Sequence, residues 1–231
     1  GASPLFFLDY LAVGRIQPPL MSSLLRGIVR GCQDSGCALL GGETAEMPGV
    51  YRRGEYDVAG FCVGIVERRR LLDGSRVRAG EAVVGLASSG VHANGFSLVR
   101  RVFKRPQLKR LAPRLLTPTR IYVKPVLAAL RSVPIHAIAH VTGGGLTRRL
   151  PALASGRPGL RVRMIPGSWP IPAIFHAIQR AGGISTNEMM RTFNMGIGMA
   201  LVCPSAWARR LIRLMARAGV RAWPIGTIER N

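Results

Sequence analysis

At 231 residues and 48% hydrophobic content, the chain is long enough for one large domain or two small ones, and no apolar run reaches the 18 residues of a membrane span. Lys+Arg outnumber Asp+Glu by 33 to 11, for a formal net charge of +22, yet the bases are dispersed pairs such as Arg52-Arg53, Arg100-Arg101 and Arg209-Arg210, and aromatics are only 6%. That dispersal argues against a basic arm or a recognition helix. It reads as G+C-rich coding, and it predicts salt-dependent, nonspecific nucleic-acid binding in vitro.

Pro4 to Val13, PLFFLDYLAV, has the length and composition of a strand. Pro18-Pro19 then opens a helix over 19–35, with Leu20, Leu24, Leu25, Ile28, Val29 and Cys32 at helical spacing and Gly36 as its C-cap. Cys37 to Leu40 reads as a short buried strand that delivers a turn at Gly41-Gly42-Glu43. Four of the 11 acids, Glu43, Glu46, Glu55 and Asp57, fall within the next stretch. Carboxylates on such a loop suit Mg²⁺ or proton transfer. The other reading is a solvated loop whose acids offset Arg52 and Arg53.

Asp57 to Glu67 is a long strand, and Gly60 and Gly64 in it allow close backbone approach or the curvature of a barrel. Arg68 to Gly80 is polar and turn-rich, and places a domain boundary between 1–69 and 70–231. Beyond it, strand 82–87 leads to the loop Ser88-Ser89-Gly90-Val91-His92-Ala93-Asn94-Gly95 and a helix from Phe96 to Lys104. Residues 105–118 are basic and proline-broken, and 119–131 is helical in pattern, with a kink expected at Pro125. Strands at 135–141, 160–165, 196–203 and 222–228 alternate with helices at 146–153, 171–181 and 205–218. The order indicates an α/β or α+β fold.

Two strand-to-helix loops carry polar chemistry. His92 lies on a glycine-flanked loop, where it is available for reaction. Thr142-Gly143-Gly144-Gly145 either presents backbone N–H groups to an anion or is a plain turn. His136 and His140 share a strand face and read as structural, and His176 reads as a face residue of its helix. Cys32, Cys37, Cys62 and Cys203 form no CxxC pair and read as small buried side chains in a reducing compartment. The start GASPLFFLDY lacks the marks of a signal peptide, so a cytoplasmic location is expected.

Seven collinear stretches, among them GCQDSGCALLGGETAEMPGVY (31–51), GLASSGVHANGFSLVR (85–100), TPTRIYVKPVL (117–127), IHAIAHVTGGGL (135–146) and NEMMRTFNMGIGMALV (187–202), resemble the phosphoribosylformylglycinamidine cyclo-ligase family of purine biosynthesis. The resemblance implies a partial N-terminal barrel-forming domain followed by a C-terminal α/β domain. It implies ATP and Mg²⁺ as cofactors, a small-molecule nucleotide substrate, and a homodimer whose N-terminal sheets join into a barrel. By matching motifs, Glu43 and His92 are the catalytic candidates, with Glu43 also a candidate Mg²⁺ contact. Ser88, Ser89, Asn94, Thr142, Gly143 and Gly144 are candidates for substrate or phosphate binding, and Asp9, Gly41, Gly42 and Glu43 for the nucleotide. Asn194 is expected either to support the site from behind or to be structural, and the other reading of Asp9 is the cap of a strand end. Family members carry a further amino-terminal segment with a lysine and an aspartate-rich strand. By that comparison the chain is expected to be a fragment, or one piece of a split product, inactive alone. The alternative is an inactive or nucleic-acid-binding derivative of the same fold.

Overall fold

β1, Ser3–Val13, alternates: Leu8 and Tyr10 are exposed while Asp9, Leu11 and Val13 are buried. That period of two gives one face to a helix and leaves the other open. The helix is α1, Pro18–Ser35, which starts on two prolines and stops at Gly36 in the left-handed region, φ 77°. Its Met21, Leu24 and Ile28 pack on Leu11 and Val13. In the computed structural model, which describes residues 1–231, these elements belong to the first of two compact units, Gly1–Leu71 with Ile121–Leu127; the second is Leu72–Arg120 with Ala128–Asn231.

The first unit holds a three-stranded sheet in which β1 is central. It pairs parallel with β2, Ala38–Glu46, and antiparallel with β3, Tyr56–Ile65. Every residue of β3 is exposed. Gly60 is needed on that strand because the Phe7 ring lies 2.2 Å from where a Cβ would stand. Two expectations fail here. The segment 37–40 is not a short buried strand, and Gly41-Gly42-Glu43 is not a turn but the middle of β2. Phe7 pairs with Leu39 and Leu8 with Gly41, so Leu40 is an extra, bulged residue. Gly41, at φ 144°, and Gly42, without a Cβ, let the strand pass the bulge and continue.

The second unit is built on a five-stranded sheet in the order β5-β7-β4-β8-β6. Its strands are β4 (Ala82–Ala87), β5 (Ala137–His140), β6 (Leu160–Met164), β7 (Ile197–Cys203) and β8 (Ala222–Arg230). The sheet is antiparallel in every pairing, although strands and helices alternate along the chain. The architecture is therefore mixed α/β, with each unit built on its own sheet. β4, fully buried, is the centre of the core. Phe175, Phe193, Ile178, Met189 and Leu146 pack the same core from the helices.

The helices after β3 along the chain are α2 (Phe96–Val102), α3 (Arg105–Leu115), α4 (Val123–Leu130), α5 (Gly145–Arg149), α6 (Ala173–Gly182), α7 (Thr186–Thr192) and α8 (Ser205–Arg217). Proline does not break residues 105–115: Pro106 sits in the first turn of α3, where no N–H is needed, and Pro113 near its end. α4 starts at Val123, so Pro125 also lies in a first turn and the expected kink is absent. α7 has no counterpart in the sequence reading; Ser185 caps it by accepting from Glu188 N–H at 3.2 Å. No helix is long and apolar enough to cross a membrane.

Candidate active-site residues

The His92 loop leaves the buried end of β4 and is strapped down from three sides. Ser88 N–H donates to Gly196 O at 2.9 Å. Ser89 Oγ donates to Pro118 O at 2.6 Å. Asn194, 2% exposed, donates through Nδ2 to Gly90 O at 2.9 Å and Val91 O at 3.2 Å, while its Oδ1 accepts from Gly196 N–H at 2.8 Å. The loop needs this support because Gly90 and Gly95 have positive φ and His92 itself sits at φ 60°, a region that costs a side-chain-bearing residue energy. Gly95 is also forced, since a Cβ there would stand 2.2 Å from the Phe193 ring. Asn194 therefore holds the loop's backbone in place.

His92 is 4% exposed, and its Nε2 accepts from the backbone N–H of Ser89 at 3.1 Å. The proton of the neutral ring then belongs on Nδ1. Burial, and next the charges of His140 and Arg120, push its pKa down to about 4. Burial and Arg149 lower His140 as well. At neutral pH His92 is an uncharged imidazole that offers an N–H.

This has a consequence for stability. Folded His92 protonates near pH 4 and an unfolded histidine near 6.5. Between those values the unfolded chain binds more protons, so stability is whole above 6.5 and falls as pH drops toward 4, by about 3 kcal/mol in all. Urea unfolding at a series of pH values should show this loss, and His92→Asn should flatten it. An equal slope in both proteins would contradict the assignment.

The TGGG turn lies against the same loop. A Cβ on Gly143 would stand 3.8 Å from Asn94 Oδ1. Gly145 N–H donates to Thr142 O at 3.0 Å, and Arg149 Nε donates to Gly143 O at 2.9 Å. Gly144, at φ 91°, precedes α5. Ser88, Ser89, His92, Asn94, Thr142, Gly143 and Gly144 thus gather at one end of the second unit's sheet. Arg120 and Arg149 join them. Neither is a candidate from the sequence: Arg120 lies inside the family-like stretch 117–127 and Arg149 outside any, and the fold brings them to His92 and His140.

In the first unit the candidates divide. Tyr10 pairs with Glu43 and Asp9 with Gly42, so Glu43 faces the open side of the sheet and Asp9 the side covered by α1. Glu43 is exposed and its Oε1 accepts from Thr44 N–H at 2.8 Å. Asp9 is 7% exposed, and its Oδ1 lies 2.7 Å from where a Cβ on Gly42 would stand. The neighbouring acids accept from backbone N–H groups: Glu46 from distant Ile16, Glu55 from Arg52 across a turn, and Asp57 from the adjacent Val58. No ion pair joins these acids to Arg52 or Arg53, so the expected charge-offset role is not what holds them. No three His, Cys, Asp or Glu side chains are grouped to hold a metal ion. Glu43 fits Mg²⁺ only as a single carboxylate beside a nucleotide's own phosphates and waters, a common arrangement for that ion.

Of the remaining sequence candidates, His136 has a buried polar partner. His136 Nδ1 lies 2.7 Å from Glu81 Oε1, and Glu81 Oε2 accepts from Arg78 N–H. His176 is exposed. All four cysteines are free; Cys32 and Cys203 are buried, but Cys37 is half-buried and Cys62 exposed, so the expectation of burial holds for two only. Burial pushes the Cys32 and Cys203 thiols up to about 11, which keeps them protonated.

Known proteins share both units. Residues 1–66 match the family described as AIR synthase related protein, N-terminal domain, and 78–231 match its C-terminal domain. Among solved structures, Escherichia coli HypE, a hydrogenase maturation protein, superposes with a TM-score of 0.76 at 17% identity, over 100% of this chain and 69% of that one. Thiamine-monophosphate kinase from Stenotrophomonas maltophilia gives 0.73 at 19% identity, over 100% and 71%. These define the fold class as the mixed α/β architecture of AIR synthase related proteins. Among sequences, the phosphoribosylformylglycinamidine cyclo-ligase of Thermosynechococcus vestitus is 50% identical over 99% of this chain and 69% of its own length, and that of Rippkaea orientalis 52% identical over 99% and 69%. The chain belongs to the phosphoribosylformylglycinamidine cyclo-ligase family of ligase enzymes, in purine biosynthesis.

Proposed function

We propose that the chain carries out, or contributes its part of, the ATP-dependent ring closure of formylglycinamidine ribonucleotide to aminoimidazole ribonucleotide. The observation that carries this reading is the buried, neutral His92, held on a strained loop against the TGGG turn in a chain half identical to named cyclo-ligases. In the reaction the formyl oxygen of the substrate takes the γ-phosphoryl group of ATP, releasing ADP. An amidine nitrogen then attacks the formyl carbon, phosphate leaves with that oxygen, and the nitrogen loses a proton. His92 suits the second step as a donor: its Nε2 accepts from Ser89 N–H, which places the ring proton on Nδ1, and an Nδ1–H stabilises the oxygen that gains negative charge as phosphate leaves. Being uncharged, it adds no ion to a buried site. Ser88, Ser89, Asn94, Thr142, Gly143 and Gly144 line the substrate side in this reading.

Glu43 with Gly41 and Gly42 serves the nucleotide, and Asp9 supports them from beneath the strand. Bound ATP supplies the phosphoryl group, and Mg²⁺, if held through Glu43, offsets its charge. HypE has been solved in complex with ATP, which supports nucleotide use on this fold. The homodimer belongs to the same proposal: β3 exposes Tyr56, Val58, Phe61, Val63 and Ile65 along an unpaired edge, a surface that a second sheet would cover. So do the 1–69 and 70–231 division and a cytoplasmic site of action.

The test is product formation from formylglycinamidine ribonucleotide and ATP. It is run with the chain alone and with the unmatched part of the Thermosynechococcus relative fused to it. Glu43→Gln and His92→Ala are each expected to lower turnover by about a hundredfold or more in whichever form is active. Turnover unchanged in both would refute the site.

A further inference from the structure

Two polar atoms beside the His92 loop are buried without a hydrogen-bond partner: Ser88 Oγ and Arg120 Nε. Folded proteins leave few such atoms, and each calls for an explanation, a ligand among them. Ser88 is 9% exposed, so water has little access to its hydroxyl. Arg120 reaches the same place because the segment before it is tied down. Ser89 Oγ holds Pro118 O at 2.6 Å, and Thr117 Oγ1 donates to Pro113 O, in the last turns of α3, at 3.0 Å. Gly90 packs on the same stretch: a Cβ there would stand 3.5 Å from Arg114 O and 3.9 Å from Thr117 Cβ.

The charged groups around this point are arginines, beside two histidines whose pKa values are lowered. The groups acting on His92 are His140 and Arg120, and on His140, Arg149; no carboxylate is among them. Arg149 is engaged with Gly143 O through its Nε. Arg120 is left with a buried, unmet donor beside an uncharged imidazole and an unmet hydroxyl. A guanidinium in that position is the side chain best matched to a phosphate, which can take two parallel N–H bonds from its planar fork.

We propose that Arg120, assisted by Ser88, binds the phosphate monoester of the ribonucleotide substrate and so positions its other end at His92. This rests on the ring-closure reading above for the identity of the substrate. It adds a residue to the site that the loop motifs did not supply, and it assigns Arg120 to positioning, not to bond making.

Titration calorimetry with ribose 5-phosphate as the probe tests it, on the 231-residue chain. Ribose and a non-hydrolysable ATP analogue are run as comparison ligands. Arg120→Met is expected to weaken ribose 5-phosphate binding at least about tenfold, and Ser88→Ala a few-fold, from the loss of charge-assisted and neutral hydrogen bonds. Arg213→Gln, which removes an exposed charge on α8, is expected to change nothing and controls for the chain's general basicity. Ribose is expected not to bind. Equal binding by Arg120→Met and Arg213→Gln would overturn the proposal. So would ribose binding as tightly as its phosphate, or loss of the ATP analogue's binding alone. Should Arg120→Met not fold, Arg120→Lys decides: it keeps the charge but not the fork, and unweakened binding would overturn the assignment. Turnover of the wild-type chain is scored separately. Ribose 5-phosphate binding without ring closure by either the chain alone or the fused form would count against the function and leave Arg120 standing; ring closure with an unchanged KM in Arg120→Met would do the reverse.

Discussion

Asn194→Ala is expected to destabilise the second unit by about 3–5 kcal/mol, because three buried backbone groups lose their only side-chain partner at once. Gly90 O and Val91 O lose their donor and Gly196 N–H its acceptor. All three residues are buried, so water does not replace what is lost. Asn194→Asp sharpens the test. It keeps an acceptor for Gly196 N–H but turns a carboxylate oxygen toward two carbonyls, so it should be no better than alanine. The loop effect should outrun the global one: exchange of the backbone amides from Ser88 to Gly95 should accelerate more than that of β4. Urea unfolding and hydrogen exchange read the two quantities. A loss below about 1 kcal/mol in both variants would mean that the loop holds its shape without Asn194.

Gly42→Ala is expected to cost the first unit about 2–4 kcal/mol, although the position is exposed. Its Cβ would stand 2.0 Å from Asp9 O, a backbone atom of the central strand, so the clash is relieved only by parting β1 and β2. Gly41→Ala differs. There is open space around it, and the penalty comes from φ 144° alone, so a loss of about 1–2 kcal/mol is expected. Because Glu43 follows directly, Gly42→Ala should also move that carboxylate and depress nucleotide binding more than Gly41→Ala. Thermal unfolding of the two variants, beside titration with an ATP analogue, gives the order. The reverse order would refute the bulge as the reason for the second glycine.

Much of this was legible where a local rule has only one physical outcome. Pro18-Pro19 and Gly36 mark both ends of α1, and the unbroken apolar run at β4 marks the core strand. The glycine-flanked position of His92 pointed to an accessible histidine; the fold made it a buried one, held by Asn194 from more than a hundred residues along the chain. Register was not legible. The bulge at Leu40 shifts the β1–β2 pairing by one residue, and a one-residue shift decides which side chains share a face. Hence Asp9 and Glu43, read together from sequence, lie on opposite sides. Strand direction was also hidden, because alternation of strands and helices fits an antiparallel sheet as well as a parallel one. Proline misled at 105–118 and at Pro125, since its effect depends on where the helix starts and the sequence did not show that boundary. Arg120 lay inside the family-like stretch 117–127, but nothing there marked it above its neighbours: in a chain with 33 bases, burial and an unmet Nε set it apart.

The central claim, ring closure through a phosphorylated formyl oxygen, is tested most directly by following that oxygen. Formylglycinamidine ribonucleotide labelled with ¹⁸O in the formyl group is converted with ATP, and the inorganic phosphate formed is analysed by mass. The account predicts that the label appears in phosphate, one atom for each aminoimidazole ribonucleotide made, with ADP in equal amount. Label recovered in water, or phosphate released without it, would contradict the account.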